Sequence, residues 1–206
     1  MTDAATLVTV MRHGEVDGPG HVLRGKHDAA LTKTGWQQMQ RTAEAANTPP
    51  FSLIASSTLL RCRAFSESFS AELKLPVNLH TGFTEIDFGD WEGLTPSQAQ
   101  ALSPQLFERF QSNPEHLTPP SGEAFCAFRS RVCDTFDAVL AGCNGGHALI
   151  VTHAGVMRVL LAEKLGLGWP SANRIAIPPA GSSQLSLLHG HAPYLLNLNI
   201  GQPCAA

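Results

Sequence analysis

The sequence predicts an α/β fold, a sheet whose strands are joined by crossover helices. Short apolar runs alternate with longer helical patterns, and two of those runs are almost continuously hydrophobic, as central strands covered on both faces are. The length of 206 residues suits a single domain, residues 1–206, with a full core.

The first strand is Thr6–Met11 (TLVTVM). A helix follows over Thr32–Ala46, entered at Leu31 and Thr32 and ending before Pro49 and Pro50. The second strand, Phe51–Ala55, is followed by Ser56 and Ser57, either able to cap a helix over Thr58–Lys74. Pro76–Leu79 is a shorter third strand, and Pro96–Pro120, less regular, predicts one or two short helices over the sheet edge. Ser121 and Gly122 open a helix over Glu123–Leu140 that stops near Gly142. The fourth strand is His147–Thr152, with a helix over Gly155–Leu165 directly behind it. Ser182–His189 and Pro193–Ile200, around His189-Gly190-His191, predict two late strands with a turn, antiparallel to the rest. There is no internal repeat, low-complexity tract or linker.

Composition narrows the function classes. Hydrophobic residues make up 43% and charged residues 15%, a globular balance. The net charge of -3 argues against a broad nucleic-acid footprint, so an anion site has to come from a local arginine cluster. The five cysteines, Cys62, Cys126, Cys133, Cys143 and Cys204, contain no C-x-x-C pair and read as free thiols of a reducing compartment. No run approaches membrane-spanning length, and a soluble cytoplasmic protein is the expectation.

Ligands of open α/β sheets bind beyond the carboxyl ends of the strands. Arg12-His13-Gly14-Glu15 follows the first strand, Ser56 to Arg61 the second, Glu85 to Trp91 the third, and His153-Ala154-Gly155 the fourth. Two histidines, two arginines and a carboxylate thus fall on one rim. These residue types suit phosphoryl transfer. A neutral imidazole can attack phosphorus, and guanidinium groups at Arg12 and Arg61 can grip its oxygens with paired hydrogen bonds. His153 opens a helix whose free N–H groups favour an anion. Glu85 could protonate the leaving oxygen, although Asp87, Asp90 and Glu92 are close by. Gly14 and Gly155 leave room for backbone and ligand to approach closely. Arg24 reads equally as a substrate contact or as the partner of a surface carboxylate, Arg63 faces away from Arg61, and Trp36 and Trp91 read as packing residues. The remaining histidines read as solvated or structural.

The blocks RHGE, SSTLLRCR, EIDFGDWEG and THAG, in this order over residues 12–155, resemble the histidine phosphatase (phosphoglycerate mutase-like) superfamily. The resemblance implies a three-layer α/β/α sandwich with a mainly parallel sheet and no metal or other cofactor. By position His13 resembles the phosphorylated nucleophile and Glu85 the proton donor. Arg12, Arg61 and His153 resemble the phosphate pocket, with Gly14, Arg24, Ala154 and Gly155 as substrate-binding neighbours. The stretch from His21 to Asp28, Leu31-Thr32, Gly35 to Met39, and Ser121-Gly122-Glu123 ahead of Phe125, Phe128, Arg131 and Val132 are similar to α-ribazole phosphatases of cobalamin biosynthesis.

Two positions depart from the family pattern. Val16 and Pro19 stand where many members carry a hydroxyl residue and an Asn, so their phosphate contacts must be replaced, with backbone N–H groups near Gly18 and Gly20 the available substitutes. The same departure, and the few residues after the last strand, favour hydrolysis over a mutase. The expected activity is phosphomonoester hydrolysis through a phosphohistidine, with α-ribazole 5′-phosphate the favoured substrate. A broad-specificity phosphatase, a phosphoglycerate mutase-type phosphotransferase and a non-catalytic phospho-ligand module are the alternatives. A small phosphorylated substrate is the expected partner, with no nucleic acid and no membrane, and a homodimer is left open. Competing motifs fail: Gly20 to His27 lacks the magnesium-binding hydroxyl of a P-loop, Cys126 and Arg131 are one residue too close for a cysteine phosphatase loop, and no G-x-S-x-G elbow occurs. The spacing of His13, Glu15, His21 and His27 matches no zinc pattern.

Overall fold

The computed structural model describes residues 5–143 and 145–199. Six strands form one sheet in the order β3-β2-β4-β1-β5-β6. They are β1 (Thr6–Arg12), β2 (Leu53–Ser57), β3 (Val77–His80), β4 (His147–Thr152), β5 (Ser182–Leu187) and β6 (Tyr194–Leu198). The first four are mutually parallel, whereas β5 runs antiparallel to β1, and β6 to β5. The expected late pair is therefore present, but only β5 runs against the rest, since β6 turns back into the direction of β1; Ile200 of that prediction lies outside the described residues.

Strand alternation sends side chains to two cores. Val8, Val10, Ala55, Ala148 and Ile150 face one side, where α5 (Phe125–Cys143) and α6 (Ala154–Leu165) pack on them through Phe128, Val132, Phe136, Val156 and Leu160. Met11, Ile54, Leu149 and Val151 face the other side, against Met39 and Ala43 of α1 (Lys33–Ala46) and Phe65 and Phe69 of α2 (Leu60–Leu73). All six residues of β4 are buried, which accounts for its unbroken apolar run. The three-layer sandwich is thus what this sequence builds.

His147 and Thr152, at the two ends of β4, are its polar residues, and Thr152 donates its hydroxyl to the Phe83 carbonyl; His147 is satisfied from both ring nitrogens. Its Nδ1–H donates to the Pro49 carbonyl at 2.7 Å, leaving Nε2 to accept from Thr9 Oγ1 at 2.9 Å, so it is a satisfied structural histidine. Between β3 and α5, the short helices α3 (Pro96–Leu102) and α4 (Pro104–Ser112) carry Ala99, Phe107 and Phe110 into the first core, and the fully buried Trp91 meets both phenylalanine rings edge-on. The four-residue helix α7 (Trp169–Ala172) has too short a pattern to be read from sequence. Thr32 caps α1 as expected, its hydroxyl accepting from the Gly35 N–H. The cap of α2 differs. Ser56 and Ser57 end β2, and the Leu60 N–H is met by Asp28 Oδ2 at 2.7 Å, so a loop thirty-two residues earlier starts this helix. Cys62, Cys126, Cys133 and Cys143 are free thiols, and Cys204 lies outside the described residues. Among the described residues no helix is long and apolar enough to cross a membrane.

Candidate active site

Register explains how residues 140 positions apart meet. Arg12 and Thr152 are paired across β1 and β4, and the His13 N–H donates to the Thr152 carbonyl at 2.9 Å. The next residue on each strand is a histidine, and the two rings lie 5.3 Å apart in an edge-on arrangement. Over them opens a cleft of about 610 Å³ whose lining includes Arg12, His13, Gly14, Arg24, Glu85, Ala154, Gly155 and Arg158.

The tautomer of His13 follows from its bonding. A carbonyl can only accept, so the 2.8 Å contact between Nδ1 and the Gly14 oxygen places the proton on Nδ1 and leaves the Nε2 lone pair free. Burial, and then the charges of Arg12 and Arg61, push the imidazole pKa well below its usual value. A neutral ring with an unprotonated Nε2 is the form that can attack phosphorus.

Glu85 is buried on the loop after β3. Its Oε2 accepts the Gly155 N–H at 2.9 Å and its Oε1 the Ile86 N–H at 3.1 Å. The neighbouring carboxylates are otherwise engaged. Glu92 accepts the N–H groups of Gly25, Lys26, His27 and Phe88, Asp87 pairs with Lys26 at 2.8 Å, and Asp90 is exposed. Geometry thus singles out Glu85 from the four candidates. Arg131 on α5 fixes its loop, donating to the carbonyls of Gly82, Thr84 and Glu85 at 2.8–3.1 Å while paired bidentately with Glu123 at 2.7 and 2.8 Å.

Arg12 reaches the Ile177 carbonyl through Nη1 at 2.8 Å, and its buried Nε has no partner among the described residues. Burial lowers its pKa; Glu85 opposes this, while Arg158, Arg61 and Arg24 add to it. Several guanidinium groups surrounding one carboxylate make a positive site that a phosphoryl group would balance.

Arg61 and His153 sit one layer deeper than the sequence suggested. Neither is solvent-accessible. Arg61 directs Nε to His153 Nδ1, Nη1 to the His27 carbonyl and Asp28, and Nη2 to the carbonyls of Arg24 and Gly25. Its five N–H groups thus point at the chain, because α2 begins under the 24–28 loop. His153 accepts from Arg61 and donates Nε2–H to Ser57 Oγ at 2.9 Å, so both its nitrogens are engaged. The expectation that both guanidinium groups point into the gap is met by Arg12 alone. Two smaller expectations also change. Arg24 binds no carboxylate but the Pro19 carbonyl at 3.1 Å, tying down its own loop. The open side of Gly14 is filled by the Gly35 backbone, and that of Gly155 by the Glu85 carboxylate. One helix N–H expected to serve an anion, that of Gly155, is likewise taken by Glu85.

The sequence of the histidine phosphatase superfamily (branch 1) matches residues 8–200. The chain belongs to this superfamily. A bifunctional protein of Mycobacterium tuberculosis is 30% identical over 165 residues, 79% of this chain and 45% of that protein, so the chain spans less than half of its length. The adenosylcobalamin/α-ribazole phosphatase of Escherichia coli is 28% identical over 163 residues, 77% of this chain and 78% of that one. The solved structure of a mycobacterial glucosyl-3-phosphoglycerate phosphatase superposes with a TM-score of 0.80 at 25% identity, covering 95% of this chain and 99% of the other.

Within this member of the superfamily, one cleft residue escaped the sequence reading. Arg158 stands one helical turn beyond Ala154 on α6, feels the Glu85 charge, and has a buried Nε without a partner among the described residues. Its spacing of four from Ala154 was a signal that it shares that residue's face. Val16 and Pro19, the positions that depart from the family pattern, both line the cleft, and Val16 forms a bridge with Leu31.

Proposed function

We propose that this chain is a phosphomonoester hydrolase working through a phosphohistidine. The observation that carries the reading is the His13 ring, neutral, fixed in the tautomer that bares Nε2, and set beside Arg12 and Glu85 in the cleft. Nε2 attacks phosphorus as the ester P–O bond breaks, and the Glu85 carboxyl gives a proton to the departing alcohol. Water then attacks phosphorus, the P–N bond breaks, Glu85 takes the water's proton, and neutral His13 is restored. Arg12 holds the transferring oxygens, with Gly14, Arg24, Ala154 and Gly155 forming the walls around substrate. Arg61 and His153 act from below, Arg61 adding positive potential beneath the reacting phosphorus and both supporting the nucleophile.

The favoured substrate is α-ribazole 5′-phosphate. Support comes from the segments around Arg24 and Gly35 and from the Escherichia coli relative. The mycobacterial glucosyl-3-phosphoglycerate phosphatase is comparably similar, which favours a different small ester as the second reading. Acid-quenched turnover should not preserve the intermediate, so the test uses a base-stable quench. Native protein should yield an acid-labile phosphoenzyme, and His13→Ala should yield none and hydrolyse no p-nitrophenyl phosphate. Unchanged turnover in that variant overturns the mechanism. Side-by-side kcat/KM for α-ribazole 5′-phosphate, glucosyl-3-phosphoglycerate and 3-phosphoglycerate, the last with and without 2,3-bisphosphoglycerate, decides the substrate.

A further inference from the structure

A second cavity, of about 240 Å³, adjoins the cleft, and Leu23, Phe88, Gly155 and Arg158 line both spaces. Together they reach the several-hundred-Å³ scale of small-molecule sites. Five of the eleven residues that line the second cavity are aromatic: Phe88, Phe110, Phe125, Phe128 and Trp169. Phe125 meets Trp169 edge-on at 4.6 Å between ring centroids and Phe110 edge-on at 6.1 Å. An aliphatic group would leave these ring faces poorly matched. A planar ring suits them, and the guanidinium of Arg158 can lie over its face.

From this geometry we propose that the cavity is the leaving-group subsite, and that it takes an aromatic or heteroaromatic ring carried a few bonds from the ester oxygen. The proposal rests on the hydrolytic reading of His13 and narrows its substrate class. A phosphate over His13 places the alcohol toward Gly155 and Arg158, and the ring then enters between Leu23 and Phe88. Trp169 closes the far side and touches no part of the cleft around His13.

The test compares 2-phenylethyl phosphate with ethyl phosphate. Both are primary alkyl esters, so the ring is the main difference. The native protein should prefer the phenylethyl ester at least tenfold in kcat/KM. Trp169→Ala should bring the ratio toward unity, and Trp169→Phe should restore most of it. The same comparison is made by calorimetry with phenylethylphosphonate and ethylphosphonate, which bind without turning over. A tenfold affinity ratio in the native protein supports the subsite even if neither ester is hydrolysed, an outcome that would sink only the hydrolytic reading. Equal affinity for the two phosphonates, or a preference that Trp169→Ala leaves in place, overturns the subsite. The native-protein ratio stands as a test should the alanine variant not fold.

Discussion

Gly155 and Glu85 are interlocked: the glycine N–H holds one carboxylate oxygen at 2.9 Å, and the space where a side chain would begin is filled by the other. The first turn of α6 therefore positions the Glu85 carboxylate, the proposed proton donor. Gly155→Ala should push the carboxylate aside and lower kcat about 100-fold, since a shift near 1 Å at a reacting group costs about that much. Steady-state kinetics check this. Glu85→Gln should lower kcat by about 10²–10⁴ on an alkyl phosphate but less on p-nitrophenyl phosphate, whose leaving group departs without a proton.

Arg131 holds three successive parts of the Glu85 loop at once, through the carbonyls of Gly82, Thr84 and Glu85. Lysine keeps the charge and loses the planar fork. Arg131→Lys should reduce kcat about tenfold with little change in KM, and lower stability by about 1–2 kcal/mol, the modest figure reflecting its partial exposure. A raised KM with kcat intact would mean that Arg131 serves binding and not the placement of Glu85.

Because burial and then Arg12 and Arg61 depress the His13 pKa, the proposed nucleophile stays unprotonated below pH 6.5. An ordinary imidazole would lose about tenfold of its neutral form between pH 7.5 and 5.5. The kcat/KM profile should lack that loss. Arg12→Gln removes one of the depressing charges, so its residual activity should fall off at a higher pH than that of the native protein.

Stability should also depend on pH through His13, His147 and His153, whose folded pKa values all lie below the ordinary value because burial disfavours the charged ring. A depressed folded pKa gives stability that is whole above the unfolded value near 6.5 and is lost as pH falls below it, because the unfolded chain then binds protons the native chain refuses. Urea unfolding at pH 7.5, 6.5 and 5.5 should show a small loss of stability over the first step and a loss about three times larger over the second. Each histidine contributes at most about 1.4 kcal/mol per pH unit. His147→Phe should make the decline shallower.

Most of the fold was legible because its central strands are largely buried. β4 coincides with its pattern, α6 begins one residue earlier at Ala154, and β1 extends by one residue to Arg12. The strand at Phe51–Ala55 shifted to Leu53–Ser57 because hydrophobicity marks burial and not pairing: Phe51 is buried against Phe69 without joining the sheet, while two serines finish the strand. At the site, the convergence of His13, His153, Arg61, Arg12 and Glu85 was legible from the residues after each strand. Their depth was not. Whether Arg61 faces a ligand or the chain depends on the carbonyls of Arg24, Gly25 and His27, a loop with no periodicity to announce where it runs. The capping of α2 by Asp28 was hidden for the same reason.

That loop carries one more implication. Residues 24–28 are clamped from below by the Arg61 guanidinium and from the side by the Glu92 carboxylate. The edge that Arg24 gives the cleft is therefore set before a ligand arrives, and association need not recruit a wandering segment into order. Little of the affinity for the proposed phosphate ester is then surrendered as loop entropy.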